Sequence, residues 1–161
     1  IALPAYQDYT IRAKVTEGIG LAAPAKMALA TEGSASLADL NRVADTWNAQ
    51  NGATGANSKF VETIQMSDTT GVITVTFNAT TVGLAAAQNT LTMSPYVRTV
   101  AGAAAGAASA AVTLAAAIGA GTTGSIDWAC ASASQVSATE NGMAAAPVGT
   151  VQAKYVPAAC R

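Results

Sequence analysis

Residues 4–32 read PAYQDYTIRAKVTEGIGLAAPAKMALATE, and no other segment of the chain constrains the architecture as strongly. Tyr9, Ile11, Val15, Ile19, Ala22, Ala23, Met27 and Ala30 recur near three- and four-residue spacing, the period of one helix face. Asp8, Arg12, Lys14, Glu17 and Lys26 occupy much of the remainder. Pro4 suits a first helical turn, and Gly33 is a plausible stop. The spacing therefore predicts one long helix. Pro24 lies inside it, where a proline removes one backbone hydrogen bond and crowds the preceding turn. The apolar pattern continues on both sides, so a bend is expected there instead of a break, with Met27 kept on the buried stripe.

Working outward, Ser36 followed by Asp39 reads as an N-cap, and Leu37, Leu40, Val43, Ala44 and Trp47 form one face of a short helix over 36–50. Asn51, Gly52 and Gly55 end it. From residue 58 the period changes to two. Phe60, Glu62, Ile64 and Met66 mark a first strand, and Val72–Phe77, rich in β-branched residues, a second. Asn89–Val97 is a third, with Pro95 suggesting a sheet edge or a strand end. Ser125–Ala131 is a fourth. Residues 101–121 are Ala- and Gly-rich; alanine favours helix while Gly102, Gly106, Gly119 and Gly121 oppose it, and the segment has no assigned conformation. Helices first and strands afterwards imply an α+β fold, with the long helix laid on a four-stranded antiparallel sheet.

Composition narrows the function. The chain has 161 residues, a formal net charge of −1, 11% charged residues, 40 alanines and no histidine. That length is one domain. Typical soluble domains carry about 25% charged residues, so this surface repels its own copies weakly. Without histidine there is no imidazole base, no His-based triad and no His metal site. Scattered Lys and Arg do not form a nucleic-acid footprint. No nucleotide, metal-loop or nucleophile-elbow motif occurs, and the acids form no close pair, so catalytic and metal sites are both expected to be none, no cofactor is expected, and the chain reads as a non-enzyme. Gly102 and Gly106 match a small-residue helix pattern by composition alone. Asn78-Ala79-Thr80 is a glycosylation acceptor by its letters. The 28 uncharged residues between Arg98 and Asp127 are too weakly apolar for a membrane span.

Two cysteines, Cys130 and Cys160, cannot make a zinc site unaided. A reduced cytosolic pair is one reading. The polar, loop-like sequence between them favours the other, a disulfide in an oxidising compartment, worth about 3.7 kcal/mol in the chain-entropy picture. Trp47 is expected in the core under the sheet edge, and Trp128 against the disulfide rather than on a sugar. Tyr6 and Tyr9, at the start of the helix, are expected at an interface. The sequence opens at Ile1 with no Met and no basic leader, which reads as a processed or truncated end.

The opening run from Ile1 to Gly18 resembles the point where the hydrophobic N-terminal helix of a type IVa pilin becomes its soluble half. Ser58-Lys-Phe-Val and Val72–Phe77 are similar to the family's first two strands. Asp127-Trp-Ala-Cys130 and Lys154-Tyr-Val-Pro-Ala-Ala-Cys160 resemble the two ends of its C-terminal disulfide loop, and the likeness is to pseudomonad major pilins. The resemblance implies a single pilin domain over 1–161. Residues 1–33 would be the C-terminal half of the long helix, 34–57 an αβ-loop with a short helix, 58–131 the sheet with an Ala/Gly-rich insertion, and 130–160 the disulfide loop. It also implies that roughly twenty apolar residues precede Ile1, enough to anchor the precursor in the inner membrane.

The function implied is that of an extracellular pilus subunit for adhesion and twitching motility. Its partners would be copies of itself, the assembly machinery, a prepilin peptidase, host glycolipid and phage. Receptor contact falls on Ala131, Ser132, Lys154, Tyr155, Val156 and Pro157, and the subunit interface on Tyr6, Tyr9, Arg12 and Pro24. The alternatives are a minor pilin or secretion pseudopilin, and a free secreted adhesin.

Overall fold

The computed structural model describes residues 3–99, 110–143 and 146–161. The long helix is present as α1 (Leu3–Leu21) and α2 (Ala23–Glu32). Between them Ala22 keeps right-handed angles (φ −80°, ψ −9°). Its N–H donates to the Ile19 carbonyl at 3.1 Å, and its carbonyl accepts from the Lys26 N–H at 3.2 Å. Pro24 sits in the first turn of α2. The chain therefore bends at one residue, just ahead of the proline, and goes on.

The buried stripe is Val15, Gly18, Ala22, Ala25 and Leu29, spaced alternately three and four apart. This corrects the expected stripe: Tyr9 and Met27 are each 68% exposed. The reason is close approach. A Cβ on Gly18 would collide with the Phe77 ring and lie 2.9 Å from Val61 Cγ2, so the helix turns its smallest residues to the sheet.

After α2 comes α3 (Leu37–Asn48). The Ser36 hydroxyl accepts from the Asp39 N–H at 3.0 Å and donates to the Asp39 carboxylate at 2.8 Å. Those bonds, with Arg42 beside it, hold the Asp39 carboxyl below its usual value. Leu40, Val43, Ala44 and Trp47 are buried, while Leu37, at the helix mouth, is not. A distorted turn, α4 (Gln50–Ala53), follows, with Asn51 and Gly52 in the left-handed region.

The sheet is antiparallel and has five strands among the described residues, one more than expected: β1 (Val61–Met66), β2 (Ile73–Phe77), β3 (Thr90–Arg98), β4 (Ala111–Thr113) and β5 (Ser125–Ala131). Helix α5 (Ala79–Val82) joins β2 to β3, and α6 (Leu114–Ala120) follows β4. The C-terminal region holds α7 (Val136–Glu140) and two 3-10 turns, Ala153–Tyr155 and Ala158–Cys160. Gly102 and Gly106 lie outside the described residues, as do Ile1 and Ala2.

In β1 a register shift between Val61 and Thr63 breaks the period of two, so the buried residues are Val61, Ile64 and Met66 instead of every second residue from Phe60. Pro95 is neither at an edge nor at a strand end; it lies within β3, the central strand. One edge of β3 is shared by β2, which pairs up to Met93, and β4, which pairs from Tyr96. The odd-numbered backbone groups face that edge, since the Phe77 N–H donates to Asn89 O and the Thr99 N–H to Ala110 O. The missing N–H of Pro95 thus falls in the gap between β2 and β4, where no ladder bond is lost.

The main core lies between the helices and one sheet face, around Phe77, Leu29, Leu40, Ile64, Ile73, Leu91 and Met93. A smaller cluster of Tyr96, Ala129, Ala138, Met143 and Ala146 covers the other face.

Candidate functional site: a projecting helix end and a disulfide-bounded loop

The first two turns of α1 are largely exposed. Leu3, Tyr6 and Tyr9 are 66%, 68% and 68% exposed. Three large apolar side chains along one short helical stretch form an apolar patch of the kind that marks an interaction surface. Beside it Tyr6, Thr10, Ile11, Lys14, Val82 and Gly83 line an open depression of about 380 Å³. Of the residues expected at a subunit interface, Tyr6, Tyr9 and Pro24 are exposed. Arg12 is exposed too, but its Nε and Nη2 both donate to the Lys154 carbonyl, at 3.1 and 3.0 Å. It ties the helix to the C-terminal loop.

That loop is closed by Cys130–Cys160, with Cα atoms 4.5 Å apart. It is stitched down along its length. The Ser132 N–H donates to the Cys160 carbonyl, the Ala133 N–H to Val151 and the Gly149 N–H to Ser132. Thr150 pairs with Thr90 through both its N–H and its hydroxyl. Gly149 has to be glycine, because a Cβ there would run into the Thr90 carbonyl and approach Leu91 Cα to 2.8 Å. Of the residues expected to meet a receptor, Ala131, Ser132 and Val156 are buried, and only Lys154, Tyr155 and Pro157 present side chains at the surface. Lys154 Nζ stands 4.8 Å from the Tyr155 ring centroid. A sequence reading of the loop has no way to separate these two sets, since both are small or amphipathic residues next to a cysteine.

Trp47 is buried and its Nε1 donates to the Ile64 carbonyl at 2.8 Å. Trp128 packs on the main cluster that holds Cys160, with Lys26 Nζ 5.6 Å from its ring centroid. Burial pushes the Lys26 ammonium below its usual pKa. Asn78 serves as the N-cap of α5, accepting from the Thr81 N–H at 3.1 Å. Among the described residues no group of three or more Cys, Asp or Glu is arranged to hold a metal ion, and no helix is long and apolar enough to cross a membrane.

A family model for Pilin, a bacterial filament protein, matches residues 11–161. The chain is 28% identical over 167 residues to the fimbrial protein EcpC of Eikenella corrodens, covering 100% of this chain and 77% of that one. It is also similar to the crystal structure of a type IV pilin from Pseudomonas aeruginosa strain Pa110594. The TM-score is 0.86 and the identity 46%, covering 94% of this chain and 98% of that one.

Proposed function

The chain belongs to the pilin family, and from that premise we propose that it is the repeating subunit of a type IV pilus, joined to its copies through the exposed end of α1. A pilus is extracellular, and its subunit is a structural protein. The observation that carries the interface reading is the row Leu3, Tyr6 and Tyr9, left uncovered by the subunit's own sheet. Contacts of this kind are heterologous: the patch on one copy meets a different surface on the next, and such contacts propagate instead of closing. Low charge density helps, because few like charges oppose the approach of neighbouring copies. Pro24, exposed at the bend, sets the direction in which α1 leaves the subunit.

The finer parts of the reading rest on the family. The precursor is held in the inner membrane by an apolar segment preceding Ile1, a prepilin peptidase processes it, and the assembly machinery extrudes it. The fibre serves adhesion and twitching motility. Lys154, Tyr155 and Pro157 are the part of the disulfide loop able to meet a host glycolipid, and the same surface is open to phage.

Antibody raised against residues 3–161 and imaged by immunogold electron microscopy should decorate surface filaments along their whole length in the organism that makes the protein. Tyr9→Arg in the full-length gene should remove the filaments while leaving the subunit folded. Label confined to filament tips or to the periplasm, or filaments that survive Tyr9→Arg unchanged, would overturn the reading.

A further inference from the structure

The gap in the sheet at Pro95 has a second effect. β2 pairs with β3 as far as Ile73↔Met93, and β4 takes over at Tyr96↔Thr113. Between those two strand ends β3 is uncovered on one side at Ser94 and Pro95. Side chains alternate across a sheet. Met93 and Val97 point into the main core, so Ser94 and Tyr96 project from the other face, and Thr113, paired with Tyr96, projects with them. Over the gap stands a cavity of about 230 Å³, walled by these residues and by Val72, Ala115 and Pro147.

The hydroxyls around this cavity are not equivalent. That of Thr92, two residues before Ser94 on the same face, donates to the Pro147 carbonyl and holds Pro147 over the sheet. The Thr70 hydroxyl, at the exposed rim, accepts from the Val72 N–H at 3.3 Å, and the Thr113 hydroxyl from the Ala116 N–H at 3.4 Å. The Ser94 hydroxyl has no partner among the described residues, although Ser94 is only 3% exposed. Buried hydroxyls are nearly always paired, and an unpaired one carries its full desolvation cost. A water would need roughly two to four polar partners to settle there, and most of the wall is apolar. No acidic, basic or amide side chain lines the space.

We propose that this cavity binds a free small aromatic molecule with a single uncharged hydrogen-bonding group, of the size of a phenol or an indole, its polar atom paired with Ser94 Oγ. Size sets the limit: about 150 Å³ of apolar cavity is enough for benzene, so this one admits a ring with one or two substituents and excludes an acyl chain or an oligosaccharide. The rings of Pro95, Tyr96 and Pro147 offer flat walls to a flat ligand. A charged ligand would be buried without a counter-ion. Apolar walls with one convergent polar group are the usual make-up of a small-molecule site.

The test uses the 161-residue chain, disulfide intact and labelled with nitrogen-15, titrated with 4-methylphenol and, separately, with its hydroxyl-free counterpart para-xylene. Saturable shifts should centre on the amides of Val72, Ser94, Tyr96 and Ala115, with 4-methylphenol the tighter ligand. Ser94→Ala should weaken 4-methylphenol about fivefold, leave para-xylene unchanged and leave the melting temperature equal or higher, since it removes an unpaired hydroxyl. Ala115→Phe, which fills the cavity from a half-buried position on α6, should abolish binding of both; should that variant melt early, Ser94→Ala alone decides. N-acetyltyrosinamide, the same ring carried on peptide backbone, should bind no more tightly than 4-methylphenol. No saturable shift at millimolar ligand, shifts centred elsewhere, equal affinity of Ser94→Ala for 4-methylphenol, or tighter binding of the tyrosine derivative would each overturn the proposal.

Discussion

Gly18 sets how closely the long helix lies on the sheet. Its missing side chain is replaced by the edge of Phe77 and a methyl of Val61, both fully buried. A hydrophobicity pattern gives glycine no weight, so periodicity alone placed Tyr9 and Met27 on the stripe that Gly18 and Ala25 occupy. The signal was nevertheless present: two glycines and several alanines fall within one helix, at positions where helix propensity disfavours glycine. Gly18→Val should cost about 1–3 kcal/mol through overpacking and lower the melting temperature by several degrees. Gly20→Ala, with nothing within 4 Å of its Cβ position, should raise stability by about 0.5–1 kcal/mol. Thermal melts of the two variants moving in the same direction would contradict this account of the helix–sheet contact.

Elements were legible where one physical rule acted alone. The Ser36 cap, the α3 face apart from Leu37, and strand β2 follow from local chemistry and an unbroken period. Legibility failed where tertiary geometry intervened. The shift in β1 moved its inward set, and Pro95 became admissible at the centre of the sheet because two strands meet end to end beside it. β4 is short and sits in an alanine-rich segment, so only its pairing with β3 defines it. In the disulfide loop the cysteines were readable and the exposed residues were not, because burial there is set by backbone bonds to β3 and to the C-terminus. The joint between α1 and α2 belongs to this scale as well. Pro24→Ala restores one N–H to the ladder, so the two helices should fuse with a stability change within about 1 kcal/mol. The amide of residue 24 should become protected from exchange, and residual dipolar couplings should report one axis. Unfolding of residues 22–32 in that variant would mean that the bend is required by the core.

At the scale of the whole molecule, the ties that hold the C-terminal region to the rest include the Cys130–Cys160 bond, the pairing of Thr150 with Thr90, and the Arg12 side chain on the Lys154 carbonyl. The last of these links the exposed loop directly to α1. Under tension along the chain the disulfide acquires a mechanical meaning. Cysteines separated by 30 positions, at about 3.4 Å per extended residue, withhold roughly 100 Å of contour length from any tension applied between the chain ends. Stretched by atomic force microscopy between residue 3 and residue 161, the oxidised domain should unfold with a total extension about 100 Å shorter than the reduced one, and equal extensions would refute the estimate. A tug on Lys154 or Tyr155 passes through a covalent staple into β5 and through one guanidinium into the helix.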